Sequence, residues 1–174
     1  MKKLIFLLVF SVLKLGAQES SKYSNEFLNI GVDAQSIGMS NAVVSNTSDV
    51  NSTYWNPSGL LQLKDKQISL MHSNYFANIA TYNFIAYATP IDDDSALGFS
   101  MIRFGVDDIL DTTQLIDAQG NINFDRINLF STADYAFLFS YARKLKFKNL
   151  NYGVNLKIIR RIIGDFSMEW SWRI

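Results

Sequence analysis

The sequence predicts an all-β fold, in which an antiparallel up-and-down sheet follows a short helical or irregular N-terminal segment. Three observations support this prediction. Five segments after residue 65 alternate apolar and polar residues with a period of two, which is typical of strands with two different faces. Residues 29–61 are nearly uncharged, rich in small residues, and end in a Trp-Asn-Pro bend. After the first 17 residues, no apolar run approaches the roughly 20 residues that a membrane-spanning helix needs.

Residues 1–17 have the order of parts found in an export signal. Lys2 and Lys3 give a positive start, residues 4–13 are apolar, and the small residue Ala17 offers a cleavage point before Gln18. The apolar run is too short to span a membrane as a helix. We therefore expect export, against the alternative that this run is a buried core helix.

Residues 18–64 are expected to form a compact plug. Small residues let backbones approach closely, and proline biases the residue before it away from the helical conformation. The segment therefore suits a confined space better than a surface helix or strand. We expect structural roles for Gly38, Asn56, Pro57 and Gly59, with Trp55 as an anchoring ring. For Trp55, simple packing and ligand contact are equal alternatives.

Residues 65–174 are expected to supply the strands. The candidate strands are residues 66–76, 79–89, 96–104, 131–145 and 150–158, with a possible sixth at 166–174. Residues 90–94 and 146–149 have turn composition, and residues 105–128 form a long polar connection. The fifth strand has the clearest alternation, with large apolar residues at even positions and Asn151, Gly153, Asn155 and Lys157 between them.

The environment of these strands is predicted from composition and the export signal. Hydrophobic residues make up 48% of the chain and aromatic residues 14%. Outer-membrane barrels carry aromatic girdles at both membrane interfaces and a polar interior. We therefore expect the Tyr- and Phe-bearing faces to contact membrane lipid, with Asn151, Asn155 and Lys157 facing the lumen and the plug. The alternative is a secreted soluble β-sandwich with a binding role, because a half-buried antiparallel sheet alternates in the same way.

The N-terminal segment also resembles a signature of the PorV/PorQ family of Bacteroidetes outer-membrane proteins, relatives of the FadL-type channels. That signature resembles IGVGARALGMGGAF followed by a short acidic spacer and YWNPAGL. The matching residues here are Ile30, Gly31, Val32, Ala34, Gly38, Met39, Ala42, Asp49 and Tyr54 to Leu60, except that Ser58 stands for alanine. The departures are Asp33, Gln35, Ser40 and Asn41, which replace glycines and an arginine of the family pattern.

The resemblance adds Gly31 and Met39 to the expected plug residues, and it covers about thirty residues, with fainter similarity to about Phe166. It implies a barrel in the outer membrane with a role in type IX protein secretion or attachment of secreted cargo. Secretion-system components or cargo proteins would then be partners. The alternative is a FadL-like channel for a hydrophobic small molecule, opened by movement of the plug at Asn56 and Pro57.

Five or six strands are too few to close a membrane barrel, since the smallest have 8. We therefore expect an N-terminal fragment of a larger barrel. A one-base frame shift across residues 168–172 would restore a Trp- and Gly-rich pattern, which suggests a frameshifted or truncated gene. The alternative is that Trp170, Trp172 and Ile174 simply belong to a sixth strand.

The sequence offers little chemistry for catalysis. It has no cysteine, and its one histidine, His72, lies in a predicted strand. Asp92, Asp93 and Asp94 fit a solvated turn better than a calcium loop, because EF-hand spacing is missing. A zero formal net charge and the lack of a basic face argue against nucleic acid. We expect no enzyme activity, no cofactor and no metal.

Overall fold

The computed structural model describes residues 25–116, 119–145, 147, 150–164 and 167–173, the last of these as backbone only. The expected export signal and the start of the expected plug, residues 18–24, lie outside the described residues. So do Phe166 and Ile174.

Residues 25–63, hereafter the plug segment, form short helical turns joined by tight bends. A 3₁₀ turn spans Glu26–Asn29, helix α1 spans Ala34–Gly38, helix α2 spans Ser52–Trp55, and a second 3₁₀ helix spans Pro57–Gln62. Asp33 caps α1, because its carboxylate accepts hydrogen bonds from the amides of Gln35 and Ser36, both at 3.2 Å. These elements are too short to be stable alone. The plug segment therefore depends on packing against the sheet.

Six antiparallel strands follow in the spatial order β1 to β6. They are β1 Gln67–Tyr75, β2 Ala80–Asp92, β3 Ser95–Asp111, β4 Asn128–Leu145, β5 Leu150–Ile163 and β6 Ser167–Arg173. Each strand pairs with the next along the chain, so the sheet is an up-and-down meander. The prediction of an all-β, up-and-down antiparallel fold is confirmed. Among the described residues, β1 and β6 are open edges.

Three predicted boundaries are wrong, and one of them is the end of the fifth strand, which runs to Ile163 instead of residue 158. The expected turn at residues 90–94 begins later, because β2 continues through Pro90 to Asp92 with a register irregularity that accommodates the proline. The expected connection at residues 105–128 is shorter, because β3 extends to Asp111. A bulge between Val106 and Ile109 hid this extension, since it breaks the alternation and places acidic residues in the strand.

The core lies between the plug segment and one face of the sheet, hereafter the inner face. Its buried strand residues include Tyr82 and Phe84 of β2, Ile102 of β3 and Leu138 of β4. The expectation that ring-bearing faces point away from the plug is therefore wrong for β2, where Tyr82 is 0% exposed and Phe84 is 1% exposed. These rings fill the inner face because the plug segment supplies its own rings there, including Tyr54, 6.5 Å from Phe84 between centroids.

Candidate functional site

The inner face carries a strip of small residues that receives the plug segment, hereafter the small-residue trough. Two cross-strand rows form it. The first row contains Ala88, Gly98 and Ser140, and the second row contains Ala96, Ala142 and Gly153. A Cβ on Gly153 would lie 2.5 Å from the amide nitrogen of Ser58 and 2.8 Å from the carbonyl carbon of Pro57. A Cβ on Gly98 would clash with the Thr53 methyl group. At Gly153 the plug backbone therefore lies at a distance that only glycine allows.

The carbonyl oxygen of Thr53 is the main polar anchor of the plug segment on the sheet. The side-chain amide of Asn155 in β5 donates to it at 2.7 Å, and the hydroxyl of Ser140 in β4 donates at 3.1 Å. The hydroxyl of Thr53 itself donates to the carbonyl of Val50 at 3.0 Å. Because Thr53 is completely buried, loss of these donors would leave an unsatisfied carbonyl in the core.

The Asn56-Pro57 bend is fixed by the side chain of Asn56. Its Oδ1 accepts hydrogen bonds from the amide of Ser58 at 3.2 Å and from the hydroxyl of Ser58 at 2.7 Å. Its Nδ2 donates to the carbonyl of Val44 at 3.0 Å. Pro57 opens the second 3₁₀ helix, where its missing amide hydrogen costs nothing. Asn56 thus ends α2, caps the next helix and ties it to the loop before α2.

The two rings before the bend anchor the plug segment to its own first residues. The indole Nε1 of Trp55 donates to the carbonyl of Val32 at 3.4 Å, and the Tyr54 hydroxyl donates to the carbonyl of Leu28. The rings of Tyr54 and Trp55 meet edge to face with centroids 4.7 Å apart. Burial raises the pKa of Tyr54 to about 12, partly offset by a backbone hydrogen bond involving Gly31. Tyr54 therefore stays neutral well above its ordinary titration range.

The remaining predicted plug residues differ in how tightly they are held. Gly31 has a positive φ of 93° and faces the side chain of Asn41. A Cβ on Gly59 would meet the carbonyl of Thr47, so this glycine is required by close approach. By contrast, a Cβ on Gly38 would meet nothing within 4 Å, and Met39 is 44% exposed. These two positions form no close contact that explains an anchoring role.

The three predicted lumen-facing residues lie on alternate positions of β5, on the inner face. Asn155 contacts the plug segment through Thr53. Lys157 is half-buried, and Asn151 is exposed near the end of the strand. The structure therefore brings Asn155 into the plug contact and leaves Asn151 outside it.

The opposite face of the sheet, hereafter the outer face, is apolar and has no covering element among the described residues. Three adjacent cross-strand rows cover β1 to β5, with Thr89 as their one polar member. We call them the apolar rows: Thr89, Leu97, Tyr141 and Val154; Ile68, Tyr87, Phe99, Phe139 and Leu156; Leu70, Ile85, Met101, Phe137 and Ile158. Leu70 is 73% exposed and Phe139 is 47% exposed. Exposed apolar areas of this extent are typical of surfaces that contact another protein or a membrane.

Polar rows bound the apolar rows at both ends. Toward the long β3–β4 connection, the long-loop boundary row contains His72, Asn83, Arg103, Tyr135 and Arg160. Toward the short β2–β3 turn, the short-turn boundary row contains Arg143, Tyr152 and the buried residue Ser95, and the exposed pair Leu145 and Leu150 follows it at the strand ends. Arg103 is held in place by Asp107 at 2.8 Å and by the hydroxyl of Thr81 at 3.1 Å. Tyr135 and Tyr152 therefore lie in the boundary rows, and the phenylalanines lie between them together with Tyr87 and Tyr141.

A cavity of about 590 Å³ opens where the second 3₁₀ helix meets the β2–β3 turn. Its lining combines apolar residues such as Leu60, Leu63 and Ile91 with charged residues of both signs, namely Lys64, Lys144, Asp92 and Asp93. The cavity lies at the short-turn end of the small-residue trough. Movement of the second 3₁₀ helix would therefore change its size.

None of the helices in the described part of the chain has both the length and the apolar character needed to cross a membrane. Across the same residues, no three histidine or acidic side chains come together in a group able to hold a metal ion.

Of the sheet residues that contact the plug segment, the sequence predicts Asn155 but not the small-residue trough. Period-two alternation places Gly98, Ser140 and Gly153 on the polar faces of their strands, but it does not show that they lie side by side. Their shared role emerges once the register is known, because they then lie in two adjacent rows. The signal available earlier was the recurrence of glycine, alanine and serine at alternate positions of neighbouring strands. Comparison with protein-family models, curated proteins and solved structures finds no match for this chain.

Proposed function

We propose that this chain forms wall strands and the plug of an outer-membrane β-barrel. The observation that carries the proposal is the outer face, where three apolar rows are flanked by polar rows in register across the strands. Water is a poor solvent for such a face, since each buried CH₂ group is worth about 0.8 kcal/mol. Acyl chains would cover the apolar rows, and the boundary rows would lie at the two membrane surfaces.

The orientation of the barrel in the membrane follows from the lengths of the connections between its strands. Short turns of outer-membrane barrels face the periplasm and long loops face the outside. The β2–β3 turn and the entry of the plug segment into β1 lie at the same end of the sheet, opposite the β3–β4 connection. The plug would therefore enter from the periplasm. In a closed barrel, β1 and β6 would pair with further strands, because unpaired backbone groups in lipid cost several kcal/mol each.

Within this class, we favour a role of the PorV/PorQ type, in type IX secretion or in attachment of secreted cargo. The support is the resemblance of the plug segment, including Tyr54, Trp55, Asn56 and Pro57, to that family's signature. Side-chain hydrogen bonds within the plug segment hold Trp55 and Asn56. The neighbouring residue Thr53 accepts a hydrogen bond from Asn155 of the sheet. A rigid plug suits an attachment partner that presents a fixed surface.

A second candidate is a FadL-like channel for a hydrophobic compound. The cavity of about 590 Å³ beside Leu60 and Leu63 favours it, because apolar groups make up part of its lining. A ligand with an apolar body would fit this lining. Loss of cargo secretion on gene deletion would favour the first candidate, and loss of uptake of a hydrophobic compound would favour the second.

Fractionation of cells that produce the full chain tests whether the protein belongs to the outer-membrane β-barrels. We expect the protein in the outer-membrane fraction, resistant to washing with high salt and released by detergent. Recovery in the periplasm or medium without detergent would contradict the proposal and favour a secreted β-sandwich whose outer face packs against another protein.

A further inference from the structure

We infer that a polar cavity within the plug segment binds a calcium ion. The cavity measures about 210 Å³ and lies between the start of α1 and the loop that leads into α2; we call it the plug cavity. Its lining includes Asp33, Ser36, Asn46, Thr47, Asp49 and Asn51. The inference goes beyond the proposed function, because it depends on the plug segment alone and is the same whether lipid or protein covers the outer face.

The lining of the plug cavity has the composition of a site for a hard cation. Of the nine described residues that line it, eight carry a side-chain oxygen, Val43 is the exception, and none is lysine, arginine or histidine. Calcium takes about six to eight oxygen ligands from carboxylates, amide carbonyls and water. Asp33 and Asp49 supply the carboxylates, amide and hydroxyl oxygens add to them, and the cavity has room for water ligands as well.

Both carboxylates are fixed in orientation and keep acceptor positions for a ligand. Asp33 accepts hydrogen bonds from the amide of Gln35 at 3.2 Å and from the amide and hydroxyl of Ser36 at 3.2 and 3.0 Å. Asp49 accepts from the backbone amide of Asn51 at 2.9 Å and from its side-chain amide at 3.0 Å. A carboxylate offers about four acceptor positions, so each of the two can still bind a cation.

Asn51 supplies independent evidence for a ligand, because its side-chain oxygen is buried without a partner. The residue lines the plug cavity and is 7% exposed. Its Nδ2 donates to Asp49, and exchanging the two ends of the amide would place oxygen against a carboxylate, so the position of Oδ1 is fixed. Oδ1 accepts no hydrogen bond from any described residue and is closed to bulk water. Buried acceptors are rarely left in this state, and a bound cation would supply the missing partner.

The ion would join the start of α1 to the start of α2. A ligand that binds only the folded plug segment stabilises it by mass action. With two carboxylates, we expect an affinity in the range of extracellular calcium modules, about 10⁻⁴–10⁻³ M. The sequence alone does not predict this site, because the fold and not a spaced motif brings Asp33 and Asp49 to one cavity. Asp33 also stands where the PorV/PorQ signature has glycine, so the site is a feature of this chain.

Terbium luminescence tests the inference on the full chain, purified without calcium. Terbium accepts the same oxygen ligands as calcium and emits when a nearby indole is excited. The indole of Trp55 is suitable, since it donates to the carbonyl of Val32, the neighbour of Asp33. Asp33→Asn and Asp49→Asn each remove one charge, and asparagine at position 33 can still cap α1. The matched control is Asp65→Asn, an exposed carboxylate outside the lining.

We expect calcium to displace bound terbium, and terbium binding to weaken at least tenfold in Asp33→Asn and Asp49→Asn but less than twofold in Asp65→Asn. Calcium should also slow protease cleavage within residues 33–51 of the unsubstituted chain at least fivefold. This second measurement decides the outcome even where a variant fails to fold. Equal terbium binding by all four proteins, or a cleavage rate that calcium does not change, would show that the inference is wrong. Membrane fractionation is independent of both results, so the proposed function would stand.

Discussion

The side-chain amide of Asn155 lies 2.7 Å from the carbonyl oxygen of Thr53 and joins the fifth strand to the centre of the plug segment. The two residues are separated by 102 positions in the chain. Their hydrogen bond satisfies a completely buried carbonyl and holds the plug at the small-residue trough. The plug and the wall of the sheet therefore form one packed unit.

Replacing Asn155 with alanine should loosen the plug segment. The Ser140 hydroxyl remains as a second donor at 3.1 Å, so we expect a loss of about 1 kcal/mol. Hydrogen exchange of the plug amides should become about fivefold faster. The matched control is Asn151→Ala, because Asn151 shares the strand and the face but is exposed. Equal effects of the two substitutions would contradict the role given to Asn155.

Replacing Gly153 with valine should displace the plug from the trough. Its Cβ would approach the Ser58 amide nitrogen to 2.5 Å, and backbone must move to relieve such a clash. We expect protease cleavage within residues 25–63 while the strand pairing survives. Gly38→Val is the control, since nothing lies within 4 Å of that position. A Gly153→Val protein as resistant to protease as the Gly38→Val protein would exclude the close approach.

Replacing Asn56 with alanine should destabilise the bend. The substitution removes the cap on the second 3₁₀ helix and the bond to Val44, which together are worth about 1–2 kcal/mol. Protection of the Ser58 and Gly59 amides should fall, as measured by hydrogen exchange. Exposed Asn46 provides the control, and unchanged protection in the Asn56 variant would show that Pro57 alone sets the bend.

Alkaline pH should release the plug segment through Tyr54. Folding raises the pKa of this residue from 10.0 to about 12, so its contribution to stability is complete below pH 10 and is lost as pH rises toward 12. Exposure of Trp55 to a water-soluble quencher should increase across this window. Tyr54→Phe should remove this part of the pH dependence, and an unchanged pH profile in that variant would assign the transition to another group.

The sequence predicted the architecture well because period-two alternation carries the information about two-faced strands. The prediction that ring-bearing faces contact lipid is wrong for β2. Tyr82 and Phe84 are as apolar as rings that face lipid, so the sequence of the strand alone does not show that they pack against the rings of the plug segment. The bulge near Asp108, which has a φ of 59°, hid the extension of β3. The trough was not predictable, because the meeting of Gly98 with Ser140 depends on register, which one strand alone does not specify.

The most direct test of the account places a charge in the middle of the outer face. Phe139→Arg puts a guanidinium in the central apolar row, where lipid contact makes it cost about 2–4 kcal/mol. The control is Phe124→Arg in the β3–β4 connection, where the ring is 71% exposed. We predict that Phe139→Arg strongly reduces the detergent-requiring outer-membrane fraction of the full chain while Phe124→Arg leaves it unchanged. Equal membrane recovery of both variants would contradict the assignment of the outer face to lipid.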